Sequence, residues 1–168
     1  DEQRIKITGD TVIGFARLAI IDLEGGSQPM TSDDGRLTVA MNGEIYNYIE
    51  LREELISEGA VFRTKSDTEV LLQMYNHYGM DMLPKLQGMF GISIIDRRTG
   101  EIFLIRDRIG IKPLYYTCVS SEHIGFSSEV KPLLKLPFVT KEIRKESVAE
   151  YFQCEYVQAP NTVFKDIK

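Results

Sequence analysis

Hydrophobic and polar positions follow two different periods along this chain. Short apolar runs bounded by turn residues cover residues 11–16, 18–23, 37–40, 61–63, 89–96, 101–106, 114–119 and 123–127. These read as strands, and the unbroken apolar run 89–96 suits a buried central strand. A helical period appears over residues 47–59, where Tyr48, Leu51 and Leu55 share a face and Gly59 supplies a stop. It returns over 66–79, through Val70, Leu71, Met74, Tyr75 and Tyr78 to Gly79. Asn47 with Glu50, and Ser66 with Glu69, have the spacing of capping boxes. Shorter helical stretches fall at 82–86 and 129–136, and an amphipathic one at 145–152. Arg97-Arg98-Thr99-Gly100 is a hairpin turn. This mixture predicts an α+β fold of antiparallel strands with helices outside.

The connections carry signals of their own. Residues 24–35 are rich in Gly, Ser, Asp and Pro, so they form a loop. Its segment 25–29 fits either one wall of a pocket or a surface turn. In the connector 107–113, the charges of Arg106, Asp107, Arg108 and Lys112 are expected to brace the chain through local ion pairs. Residues 156–168 are irregular and contain Pro160.

Composition narrows the classes. The 168 residues suffice for one domain with a sizeable core, at 43% hydrophobic and 27% charged. A net charge of −5, with no Lys/Arg run, argues against a nucleic-acid partner. No apolar run is long enough to span a bilayer, and no signal peptide is visible, so no membrane role is expected. Cys118 and Cys154 have no Cys or His at metal spacing, which argues against a metal site and fits a reducing, cytoplasmic compartment. Both are expected to be structural, with Cys118 buried in its strand. His77 and His123 lack an evident orienting partner for catalysis.

The chemistry concentrates where the strand starting at Leu37 gives way to a helix. Asn42 is placed at the strand end, where backbone amides stop pairing. Its side-chain amide and the N–H of Gly43 can form two donors for a developing oxyanion, with glycine letting a substrate approach. Asn-Gly by itself reads equally as a turn and helix cap. Arg17, between two apolar runs, is either a structural ion-pair partner or a fork that grips a carboxylate. Asp67 suits the first turn of a helix on helix-dipole grounds alone.

Several strings together resemble the glutaminase domain of asparagine synthetases, a branch of the class II glutamine amidotransferases. They are Arg17-Leu-Ala-Ile-Ile-Asp-Leu23, Gly26-Ser-Gln-Pro29, Asn42-Gly-Glu-Ile-Tyr-Asn47, Ser66-Asp-Thr-Glu-Val70, Gly88-Met-Phe90 and Arg106-Asp-Arg-Ile-Gly-Ile-Lys-Pro-Leu-Tyr-Tyr116. They occur in the family's order along nearly the whole chain. The resemblance implies a four-layer αββα sandwich of the N-terminal-nucleophile hydrolase type. It implies that Arg17 binds the α-carboxylate of L-glutamine, with Leu18, Ile20 and Ile21 lining the site beside it. Asp67 would hold the α-ammonium, Glu44 would contact the bound amino acid, and Asn42 and Gly43 would form the oxyanion hole. Phe15 stands where the family usually carries His. No cofactor is implied for this domain. ATP, Mg and aspartate belong to a C-terminal synthetase domain that receives the ammonia. A homodimer is compatible with this reading, and the sequence does not fix the oligomeric state.

The family's nucleophile is a cysteine at the mature N-terminus, whose free α-amine assists proton transfer. Residue 1 here is Asp, and neither Cys118 nor Cys154 matches the nucleophile's place. Residues 1–155 are therefore expected to be the amidotransferase domain without its N-terminal segment. Residues 156–168 would be its tail, or the start of the connection onward. The polypeptide from Asp1 is expected to bind glutamine poorly and hydrolyse none. The competing reading is a nucleophile-less family member that serves as a binding or structural module. A papain-like use of Cys118 with a histidine lacks the ordered constellation it would need.

Overall fold

A four-stranded antiparallel sheet organises the first part of the chain. The computed structural model describes residues 2–17, 26–120 and 123–168. Strands β1 (Glu2–Thr8) and β2 (Thr11–Arg17) form a hairpin. They are followed by β3 (Met30–Thr31), β4 (Leu37–Ile45), β5 (Gly88–Asp96) and β6 (Glu101–Arg106), which pair in the order β3-β4-β5-β6. Helices α1 (Tyr48–Ser57) and α2 (Asp67–Tyr78) and a 3-10 turn (Gly79–Lys85) lie between β4 and β5. Every strand pair is antiparallel, so the α+β class stands as expected.

Alternation along the strands decides which face is which. Leu37, Val39, Met41 and Ile45 of β4 join Phe90, Ile92 and Ile94 of β5 in one core with Leu51 and Leu55 of α1 and Val70, Leu71 and Met74 of α2. The helices therefore cover the face bearing the odd-numbered β4 side chains. The intervening residues Thr38, Ala40, Asn42 and Glu44 belong to the opposite face. Thr38 there shares a hydrogen bond with Thr31 (3.1 Å), which also accepts from Lys6 of the hairpin.

The chain divides into two compact units, Asp1–Lys112 and Pro113–Lys168. The second contains the hairpin β7 (Tyr115–Ser120) and β8 (His123–Ser127), then α3 (Val130–Leu133) and α4 (Lys145–Cys154). Leu133, Val139 and Ile167 form its core. Lys168 exchanges both backbone hydrogen bonds with Tyr116 (2.8 and 2.9 Å), so the tail is tied to β7. No helix among the described residues is long and apolar enough to cross a membrane.

Several sequence expectations about the elements need correction. Residues 61–63 are not a strand, because the backbone N–H groups of Arg63 and Thr64 donate to the Glu69 carboxylate (2.8 and 2.6 Å) rather than to a ladder. The same contacts spend Glu69, so only half of the second capping box exists: Ser66 Oγ accepts from the Thr68 N–H at 3.0 Å. Asn47 does not cap α1 with its side chain. It reaches across to residues 85–87, donating to the Lys85 carbonyl (2.9 Å) and accepting from the Gln87 N–H (3.0 Å). Cys118 is exposed, as is Cys154. In β7 it is Thr117 that points inward, and alternation turns Cys118 outward.

Candidate active site

The expected site residues lie on β4 and at the start of α2, and the ladder places Asn42 differently from the sequence reading. The strand does not end at Asn42. It runs to Ile45, with Asn42 opposite Gly91, Gly43 opposite Phe90 and Glu44 opposite Met89. What ends early is the pairing on the other side, because β3 covers only Thr38 and Val39. From Ala40 onward that edge of β4 has no strand partner among the described residues.

That edge is capped by side chains. The Met41 N–H donates to Gln28 Oε1 at 2.7 Å. The Ile45 N–H donates to Asp67 Oδ2 at 3.3 Å. Successive N–H groups on one side of a strand belong to every second residue, so the Gly43 N–H lies between these two and faces the same way. The β5 residue opposite Gly43 is Phe90, whose N–H and C=O are both taken by Asp107 (3.2 and 2.8 Å). The Gly43 N–H therefore has no acceptor among the described residues. Next to it, the half-buried Asn42 presents an amide with no partner among them either. Asn42 and Gly43 thus each carry an N–H donor, at adjacent positions of β4, that no acceptor among the described residues takes.

Gly43 is required by its strand partner, a reason the sequence reading did not see. Its φ is +143°, and a Cβ there would lie 2.0 Å from the Met89 carbonyl oxygen. Gly88 meets the same constraint from the other side, with a Cβ 2.2 Å from the Glu44 oxygen. Backbone packs on backbone here, as only glycine permits.

Asp67 stands at the first turn of α2 and is 6% exposed. Burial pushes its carboxyl above the ordinary value near 3.8. N–H donors from Ile45, Thr68 and its own backbone oppose that rise, and the nearby Glu44 carboxylate adds to it. A buried carboxylate in this state has a strong electrostatic reason to take a cation. Glu44, half-buried on the next strand position, belongs to the same cluster.

The structure thus brings Asn42, Gly43, Glu44 and Asp67 together. Arg17 ends β2, with Glu2 opposite it, but its side chain is outside the described residues, as are Leu18, Ile20 and Ile21. Gln28 was missed as an individual residue. The signals for it were its place in the 25–29 segment and in the string Gly26-Ser-Gln-Pro29, neither of which gave it a task, because a contact across 13 residues leaves no local pattern.

The connector charges do brace the chain, but through backbone groups in place of ion pairs. Asp107 accepts from the N–H groups of Phe90, Ile109, Ile111 and Lys112 (2.9–3.2 Å). Arg106 donates to the carbonyls of Lys112 and Gly110 (both 2.7 Å), and Arg108 to those of Leu83 and Leu86 (3.1 and 3.3 Å).

The fold is an antiparallel α+β domain with Asn42, Gly43 and Glu44 on one strand and the buried Asp67 at the adjoining helix start. Residues 1–168 match the model of the glutamine amidotransferase domain family, and the chain belongs to that family. It is 44% identical over 155 residues to asparagine synthetase [glutamine-hydrolyzing] 1 of Bacillus subtilis, covering 92% of this chain and 24% of that protein. A putative asparagine synthetase [glutamine-hydrolyzing] 2 of Methanocaldococcus jannaschii is 38% identical over 171 residues, covering 92% of this chain and 32% of that protein. The chain spans about a quarter of the length of the first of these relatives. Among solved structures it resembles the glutamine phosphoribosylpyrophosphate amidotransferase of B. subtilis complexed with ADP and GMP. The TM-score is 0.59 at 26% identity, over 71% of this chain and 28% of that one. This likeness supports the αββα sandwich of antiparallel sheets expected from the sequence.

Proposed function

We propose that this domain hydrolyses the side-chain amide of L-glutamine and supplies the ammonia to a synthetase domain, as part of an asparagine synthetase-like enzyme. The observation that carries the reading is the Gly43 N–H beside Asn42, without an acceptor among the described residues and placed between two amides that side chains have already capped. A cysteine thiolate attacks the amide carbon, and the carbonyl oxygen takes the negative charge. Asn42 Nδ2 and the Gly43 N–H donate to that oxygen. The C–N bond breaks as the leaving NH2 takes up the proton the thiol gave up and departs as ammonia, and water then hydrolyses the glutamyl thioester to glutamate and free thiol. Asp67 holds the α-ammonium with Glu44 nearby, and Arg17 takes the α-carboxylate beside Leu18, Ile20 and Ile21. Cys118 and Cys154 are not assigned the nucleophile's role. The family resemblance gives that role to an N-terminal cysteine.

The domain itself needs no cofactor in this scheme. ATP, Mg and aspartate are assigned to the synthetase domain. A cytoplasmic location and a homodimer fit the same reading. The test is glutamine-dependent glutamate formation by the full-length protein. Asn42→Ala is expected to lower kcat about 100-fold or more, the effect of removing one oxyanion donor. Unchanged turnover in that variant removes the oxyanion assignment.

A further inference from the structure

We infer that Gln28 is a positioning residue whose side chain ends the sheet beside β4 and so keeps the Gly43 N–H free for the reacting oxygen. The inference rests on the proposed amide hydrolysis for its catalytic meaning, but its structural half stands on the ladder alone. β3 runs antiparallel to β4 with Met30 opposite Val39 and Thr31 opposite Thr38. Carried on in that register, the chain would place Gln28 opposite Met41 and Gly26 opposite Gly43. Residues facing each other at such positions exchange N–H···O bonds. The backbone carbonyl of Gly26 would then accept from the Gly43 N–H and consume the donor.

The chain does not continue that way. β3 begins only at Met30, and among the described residues neither Gly26 nor Gln28 makes a backbone ladder bond to β4. The Gln28 side-chain oxygen takes the Met41 N–H at 2.7 Å, in the place where a backbone carbonyl would have stood. Gln28 is itself buried, so the contact is shielded from water and the Met41 amide is fully satisfied by it. A side chain reaches further than a backbone carbonyl, which lets the main chain leave β4 one pair before Gly43. Asp67 performs the matching task at Ile45. Between them they fix the strand on either side of one open N–H.

The test combines single-residue hydrogen exchange with steady-state glutaminase kinetics, both on the full-length protein. In wild type the Gly43 amide exchanges faster than those of Met41 and Ile45; equal protection at all three overturns the inference without any variant. Gln28→Met keeps the volume and removes the acceptor. It is expected to speed exchange at Met41 by about tenfold and lower kcat by about tenfold, with KM within about threefold of wild type. Gln28→Glu restores an acceptor at the same reach and is expected to recover most of kcat. Tyr75→Phe removes a buried hydrogen bond to Asp96 (3.1 Å) at the far end of the same sheet. It is expected to lower Tm and leave kcat unchanged. Unchanged Met41 exchange in Gln28→Met, or a kcat no lower than that of Tyr75→Phe, overturns the proposal. A loss in Gln28→Met with full turnover in Asn42→Ala keeps the capping role and rejects the donor pair.

Discussion

Asp67 and Asp107 are each 6% exposed, and their carboxyls are pushed in opposite directions. For both, burial is the largest single influence and favours the neutral form. Around Asp107 it is outweighed by donors from Lys112, Ile111, Phe90 and Gly110, and the carboxyl is held down at about 2. Around Asp67 the donors from Ile45, Thr68 and Asp67 itself fall short, Glu44 adds a like charge, and the carboxyl is held up. A carboxylate whose lone pairs are all answered by its own chain is a structural clamp. One with too few donors among the described residues, in a buried place, is suited to receive a cation. The difference separates the brace of this domain from its proposed binding site, although the two residue types are identical.

Substitution at Asp67 offers the largest way to break that contrast. Asp67→Asn is expected to raise KM for glutamine by about 100-fold, the loss of a buried charge partner for the α-ammonium, worth about 3 kcal/mol. Its Tm is expected to stay near wild type, since the change relieves a buried charge. A large fall in Tm with KM unchanged would make Asp67 a second clamp. Asp107→Asn is expected to do the reverse, costing about 2–3 kcal/mol in denaturant unfolding and leaving KM alone in the folded fraction.

The sign of the pH dependence follows from the two shifts. The Asp107 carboxyl lies below its unfolded value near 3.8, so its stabilisation is present above that pH and is lost as pH falls toward about 2. The Asp67 carboxyl lies above its unfolded value, so its charge costs stability once pH rises through 3.8 and beyond. In Asp107→Asn the fall in stability between pH 4 and 2 should therefore flatten relative to wild type, a difference of about 2 kcal/mol across that window. The smallest expected effect is at Glu44. Glu44→Gln removes the like charge and should lower the Asp67 midpoint by a fraction of a unit in a carboxyl NMR titration. No movement there would mean that burial alone sets Asp67.

Much of this arrangement could be read in the sequence, and two of the misses share one cause. The runs 89–96 and 101–106 became β5 and β6, and the helical period through Val70 and Met74 became α2 up to Gly79. Local periodicity and stop residues carry such elements. The cap expected of Asn47 and the place of Gln28 depend on a polar side chain meeting distant backbone, whereas the strand expected at 61–63 is lost to the nearby Glu69 carboxylate. Asn47 reaches 38 and 40 residues along the chain, and Gln28 reaches 13. No window of neighbouring residues encodes that choice. Asn42 was placed at a strand end for a sound reason applied to the wrong side, since one edge of β4 stays paired while the other opens.

The two glycines packed against backbone, Gly43 and Gly88, have a bearing on how this domain can change. With Met89 and Glu44 carbonyl oxygens occupying the space where side chains would grow at positions 43 and 88, neither position admits variation. The geometry of the innermost donor is inherited as a fixed quantity, insulated from drift in the sequence. Any lineage or library that tunes reactivity here must do so through the surrounding side chains, with Gln28 and Glu44 as the nearest adjustable parts.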